Sequence, residues 1–98
     1  MEIIEPSIQG FTIYSKSGCH LCSKIKSCLK EKNLIFNEIN CDEYLIEDRD
    51  FFLSYLENKI GKPYKTFPIV FHDSSFIGGY NEAIEWIDKL LLSFEDIF

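Results

Sequence analysis

The chain has no apolar run approaching the roughly 18 residues of a membrane-spanning helix, and no such helix is expected. Its opening residues, Met1-Glu2-Ile3-Ile4-Glu5-Pro6, lack the basic stretch and long apolar core of a secretory signal, so the expectation is a soluble, cytoplasmic protein. Positive charge is scarce: 10 Lys and Arg stand against 16 Asp and Glu, for a net charge of −6. A nucleic-acid partner, whose binding depends on Lys and Arg neutralising phosphates, is therefore not expected. Glycine and proline are sparse too, at 5 and 3 residues, and no segment is of low complexity, which excludes disordered and fibrous classes. The 98 residues suffice for one domain, divided here into an N-terminal extension (1–9), a core (10–92) and a short tail (93–98).

Four cysteines in a chain of this expected location do not read as a structural disulfide framework. Two of them form the spacing Cys19-His20-Leu21-Cys22, which suits either a redox dithiol or half of a zinc site. The gaps to Cys28 and Cys41 are five and twelve residues, without the second short-spaced pair of a zinc ribbon, so no metal is expected. Cys28 falls on the apolar side of a helix pattern and is expected to be a buried, inert thiol. Cys41 is read as a bystander, with a regulatory thiol as the other reading. Most of the lysines from Lys16 to Lys32 belong to a solvated helix face. Lys16 and Lys65 stand apart, because each adjoins a motif described below.

Hydrophobic spacing places the cysteine pair in a fold. Phe11–Tyr14 is a short apolar strand broken by Ser15–Gly18, and Leu21, Ile25, Cys28 and Leu29 repeat as one face of a helix ending near Asn33. Ile35–Ile39 is a second strand. A single helix is expected from Glu43 to Lys59, with Asp42 as N-cap and Gly61 as stop. Pro68–His72 and Phe76-Ile77 form a hairpin around Asp73–Ser75, with His72 structural. The last helix starts near Asn81 and buries Ile84, Ile87 and Leu91. The order implies an α/β fold with a four-stranded mixed sheet flanked by three or more helices, strands 1 and 2 being parallel.

Cys19 thus falls where a strand hands over to a helix N-terminus. Unpaired backbone N–H groups and the positive end of the helix dipole stabilise a thiolate there. Lys16 adds a cation, Gly18 removes bulk beside the sulfur, and His20 either tunes the thiolate or has no special role. Cys22, one turn inward, is more shielded and suits a resolving thiol. A thiol of pKa about 8.5 is only about 3% ionised at pH 7, and lowering the pKa to about 5 gains roughly 30-fold in thiolate. Intrinsic nucleophilicity falls by a similar factor, so the net gain lies in Cys19 becoming a good leaving group.

Thr66-Phe67-Pro68 precedes the third strand, and Gly78-Gly79-Tyr80-Asn81 precedes the last helix. Cys-x-x-Cys, then Thr-x-Pro, then Gly-Gly at a helix start is the order of glutaredoxins. Over about Gly10 to Leu92 the chain resembles that family, particularly the small dithiol members of bacteria and viruses. The resemblance implies a thioredoxin-like fold and a cis peptide before Pro68. It also implies glutathione as co-substrate, held by Lys16, Leu21, Lys65, Thr66, Phe67, Pro68, Gly79, Tyr80 and Asn81. The Phe67 backbone would pair with the cysteinyl part of glutathione like an added strand. The N–H groups of Tyr80 and Asn81 would receive the γ-glutamyl carboxylate, and Lys16 and Lys65 the glycyl carboxylate.

Where family members commonly have Pro-Tyr between the cysteines, this chain has His20-Leu21, so Leu21 brings no hydroxyl toward the ligand. The expected activity is glutathione-dependent reduction of glutathionylated and disulfide-containing proteins by a monomer, with Cys19 attacking and Cys22 resolving. Two alternatives stand beside it. Loss of the proline also resembles glutaredoxins that hold a 2Fe-2S cluster between two subunits through Cys19 and glutathione. A thioredoxin-like donor reduced by a flavoprotein reductase is the other.

Overall fold

The computed structural model describes residues 2–96, with side chains through Leu92; Met1 and the end of the tail expected at 93–98 lie outside them. The elements run β1 (Phe11–Ser15), α1 (His20–Glu31), β2 (Phe36–Asn40), α2 (Asp42–Glu47), α3 (Arg49–Ile60), β3 (Ile69–His72), β4 (Ser75–Gly78) and α4 (Tyr80–Asp96). The strands form one mixed sheet in the order β2-β1-β3-β4. β1 is parallel to β2 and β3 is antiparallel to β4, the directions expected from the helical crossover and the short turn, and β1 pairs antiparallel with β3.

Alternation along β1 sorts the core into two clusters. Phe11 and Ile13 pack with Ile25 and Leu29 of α1 and with Ala83 and Ile87 of α4. Tyr14 points the other way, into a cluster with Phe52 and Leu56 of α3, Tyr44 of α2, and Phe67, Ile69 and Phe71. The sheet therefore lies between α1/α4 and α2/α3. His72 is structural, as expected: its ring packs against Phe11 and Trp86 at centroid distances of 4.7 and 4.5 Å.

The structure corrects several boundaries. The helix expected over 43–59 is two helices, because Asp48 leaves the helical conformation (φ −155, ψ 81) and its carboxylate accepts the Phe51 N–H, starting α3 afresh. Asp42 is not an N-cap: Cys41 occupies that position without a side-chain bond, and Asp42 is the first residue of α2. Of the three residues expected to be buried in the last helix, only Ile87 is; Ile84 and Leu91 are half-buried, and Ala83 fills the other core position. The third strand begins at Ile69 instead of Pro68, which has no N–H to give the ladder.

The extension expected at 1–9 is bound to the core by phenol hydroxyls. Tyr14 Oη donates to the Ile4 carbonyl at 2.6 Å, Tyr44 Oη accepts the Ile4 N–H at 3.0 Å, and Tyr55 Oη donates to Glu5 at 3.0 Å. Lys59 adds an ion pair to Glu5 at 3.1 Å. Burial requires a partner for the Tyr14 hydroxyl, and the extension supplies it. Tyr14→Phe should cost about 1 kcal/mol, seen as a lower urea midpoint at unchanged slope.

Candidate active site

Cys19 is the N-cap of α1, and its sulfur accepts the Cys22 N–H at 3.2 Å. The helix start thus directs a backbone N–H at this sulfur, a geometry that favours negative charge there. The Cys19 and Cys22 sulfurs are at disulfide distance, with Cα atoms 5.2 Å apart. Cys19 is half-buried, whereas Cys22 is 2% exposed, so an incoming sulfur can reach only the first.

The loop before Cys19 is held by a contact that sequence reading missed. The Ser17 N–H donates to Asp42 Oδ1 at 2.9 Å, and the Ser17 hydroxyl donates to the other carboxylate oxygen. These two bonds hold the Asp42 carboxyl below the usual carboxylate range, the hydroxyl contributing most. Gly18 has a backbone reason to be glycine. A Cβ there would meet nothing within 4 Å, but the residue sits at φ +76, a left-handed conformation that glycine adopts freely. The turn itself therefore favours glycine at this position.

Lys16 and Phe67 come together, with the ammonium 5.4 Å from the ring centroid, so the cysteine loop meets the segment before β3. The Phe67–Pro68 peptide is cis, as the resemblance implies. Phe67 and Pro68 are buried, while Thr66 and Lys65 are exposed and line a separate cavity of about 540 Å³ against α3 with Asp50, Ser54 and Glu57. Both cysteines line a different cavity of about 420 Å³, with Lys16, Lys26 and Glu38. Lys65 therefore lines a cavity other than the one that the cysteines share. Leu21 is 40% exposed on α1.

At the start of α4, Gly79 is buried, Tyr80 half-buried and Asn81 exposed. Glu82 Oε1 accepts the Gly79 N–H at 2.8 Å, the reciprocal half of a capping box, which leaves the N–H groups of Tyr80 and Asn81 for any external anion. A Cβ at Gly78 would lie 2.7 Å from Glu82 Cβ, and one at Gly79 would lie 2.8 Å from the Tyr64 hydroxyl. Glu82 thus requires a glycine at 78, and a side chain at 79 would displace the Tyr64 hydroxyl. Burial and the Glu82 charge raise the Tyr64 pKa. The three-residue spacing from Gly79 to Glu82 was the available sequence signal. Lys24, 5.2 Å from the Tyr80 ring centroid, had none.

The remaining thiols do not join the pair as a metal site. Cys41 is fully buried in the α2/α3 cluster and Cys28 packs against the α1/α4 cluster; among the described residues no three His, Cys, Asp or Glu side chains could hold a metal ion. Burial, then the Asp42 charge, pushes the Cys41 thiol up to about 12. Contrary to expectation, Cys28 is only half-buried, on a surface cavity with Ser27 and Glu31.

Two outcomes follow. Alkylation of the oxidised protein at pH about 8 should mark Cys28 and leave Cys41 unlabelled until denaturant is added, as read by peptide mass. The Asp42 contacts contribute stability above the unfolded carboxylate pKa and lose it as pH falls through the lower folded value. Asp42→Asn should therefore shrink the fall in urea midpoint between about pH 5 and about pH 3.

The comparisons agree with this geometry. A family model described as Glutaredoxin matches residues 11–77. Glutaredoxin 1 of Escherichia coli K12 is 34% identical over 82 residues, covering 81% of this chain and 93% of that protein. The crystal structure of Glutaredoxin 1 from Francisella tularensis, complexed with cacodylate, superposes with a TM-score of 0.70 at 32% identity, over 83% of this chain and 94% of that one. That of a buckwheat glutaredoxin–glutathione complex superposes with a TM-score of 0.67 at 25% identity, over 81% and 68%. Among the described residues no helix is long and apolar enough to cross a membrane. With its paired sulfurs at a helix start on a mixed four-stranded sheet, the chain belongs to the glutaredoxin family of thiol–disulfide oxidoreductases.

Proposed function

We propose that this protein reduces glutathione mixed disulfides and protein disulfides with glutathione as the electron donor. The asymmetry of the pair carries the reading: a half-buried Cys19 whose sulfur takes a helix N–H, beside a Cys22 that is 2% exposed. The Cys19 thiolate attacks the glutathionyl sulfur, the target's sulfur leaves with the bonding electron pair and takes a proton, and Cys19 becomes glutathionylated. A second glutathione thiolate then attacks the glutathionyl sulfur, forming oxidised glutathione and returning Cys19 as thiolate. Protein disulfides follow a second route: Cys22 attacks the Cys19–protein mixed disulfide, freeing the protein thiol and leaving the Cys19–Cys22 disulfide for glutathione to reduce.

Glutathione carries two carboxylates and one ammonium, and three features of the surface complement them. Lys16 over Phe67, with Lys65 two residues before it, flanks an extended segment suited to the peptide backbone and the glycyl carboxylate. Tyr80 and Asn81 offer N–H groups to the γ-glutamyl carboxylate. Glu82, adjacent to them, gives the neighbouring ammonium a counter-charge. The glutathione complex of the buckwheat relative supports the same ligand class.

A hydroxyethyl-disulfide assay coupled to glutathione and its reductase tests the roles. Cys19→Ser should abolish turnover, while Cys22→Ser should keep at least about a tenth of it and lose reduction of a protein disulfide. Activity surviving in Cys19→Ser, or turnover that needs a thioredoxin-type flavoprotein reductase in place of glutathione, would overturn the proposal.

A further inference from the structure

Lys26 follows Cys22 by one helical turn and Cys19 by two, so all three lie along one side of α1. Its ammonium is 2.6 Å from Glu38 Oε2 on β2. The Ser15 hydroxyl donates to the same oxygen at 2.7 Å, and Ser15 is 1% exposed. Glu38 is therefore anchored from the end of the central strand. Its register explains why: Ser15 is opposite Asn40, and Glu38 lies two residues along on the same face. The Lys26 and Ser15 bonds hold the Glu38 carboxyl below its ordinary range, so the two partners form a true charge pair at neutral pH. Lys26 and Glu38 line the same cavity of about 420 Å³ as both cysteines.

We propose that this ion pair sets the redox poise of the cysteine couple: Glu38 limits the positive charge that Lys26 presents to the Cys19 and Cys22 sulfurs. The inference deepens the functional reading above and rests on its assignment of Cys19 as the thiolate. A paired ammonium and carboxylate act on a nearby thiolate as a dipole, whose field falls off faster than that of a lone charge. Removing either partner leaves a net charge of one sign in the cavity that the sulfurs share. A cation stabilises the thiolate and hence the reduced couple, making the disulfide a stronger oxidant; an unpaired carboxylate does the reverse. The other charged or titratable groups around the pair are Lys16 and His20 in the cavity, Lys30 beside Glu38, and Asp42 through Ser17. They are the same in every variant considered below, so differences among the variants report on this pair.

The test is a charge cycle read without glutathione. In a Cys22→Ser background, the pH dependence of Cys19 alkylation gives the thiolate pKa. With both cysteines present, equilibration against dithiothreitol gives the reduction potential. Glu38→Gln should lower the Cys19 pKa and shift the couple toward its reduced form by about threefold, and Lys26→Met should move both readouts the other way by a similar factor. The double variant, which carries no charge at either position, should fall between the two and near the parent. Mere damage to packing would move both single variants in one direction. That result, or no movement in either, overturns the proposal. Loss of glutathione turnover alongside opposite shifts would strike only the glutathione reading. An ordinary thiol pKa for Cys19 in the parent would overturn the thiolate assignment and this inference with it.

Discussion

Five consecutive residues of β1, Phe11 to Ser15, are buried, and a strand covered on both faces must find a partner for every side chain it carries. Phe11 and Ile13 meet that demand with the apolar stripes of α1 and α4, and Tyr14 meets it with the aromatic cluster under α2 and α3. The polar members are satisfied by specific bonds: the Thr12 hydroxyl accepts the Ser7 N–H, the Tyr14 hydroxyl donates to Ile4, and the Ser15 hydroxyl donates to Glu38. Each of these bonds fixes something beyond the strand. The first two hold the N-terminal segment, and the third anchors the carboxylate that faces Lys26.

The same strand fixes the direction of the chemistry. Its end delivers the chain into the Lys16–Gly18 turn, which Asp42 grips from α2, and so sets where the first amide of α1 points. The segment before β3, the neighbour of β1 on its other side, brings Phe67 under Lys16. An acidic protein thereby keeps cations along the borders of its sulfur pair, while most of its carboxylates lie on α2, α3 and α4.

The parts of this arrangement that depend on neighbours in sequence were readable from the chain. The strand–helix handover at Cys19, the parallel β1–β2 pair and the turn expected at Asp73–Ser75, whose last residue opens β4, follow from local periodicity and turn chemistry. The segment from 42 to 60 was less legible, because Asp48 competes for the backbone in the middle of a poorly periodic stretch and splits one expected helix into two. Long-range polar contacts were hidden altogether. Asp42 lies 25 residues from Ser17 and Glu38 lies 12 from Lys26, and no spacing rule joins them. Gly18 hides a second reason in the same way: a glycine beside a sulfur suggests room, and only the backbone angle shows that the turn favours it as well.

Cys41 shares an apolar cluster with Cys22, the sulfur that alternates between thiol and disulfide in the route proposed for protein disulfides. A third sulfur so placed is a route to mispairing, since thiol–disulfide exchange needs only a thiolate and a reachable disulfide. Burial pushes the Cys41 thiol up to about 12, which disfavours its thiolate at neutral pH. Burial and protonation both work against a Cys41 thiolate reaching the neighbouring disulfide. A substitution that let water reach Cys41 would remove both obstacles at once and leave a third thiol open to exchange.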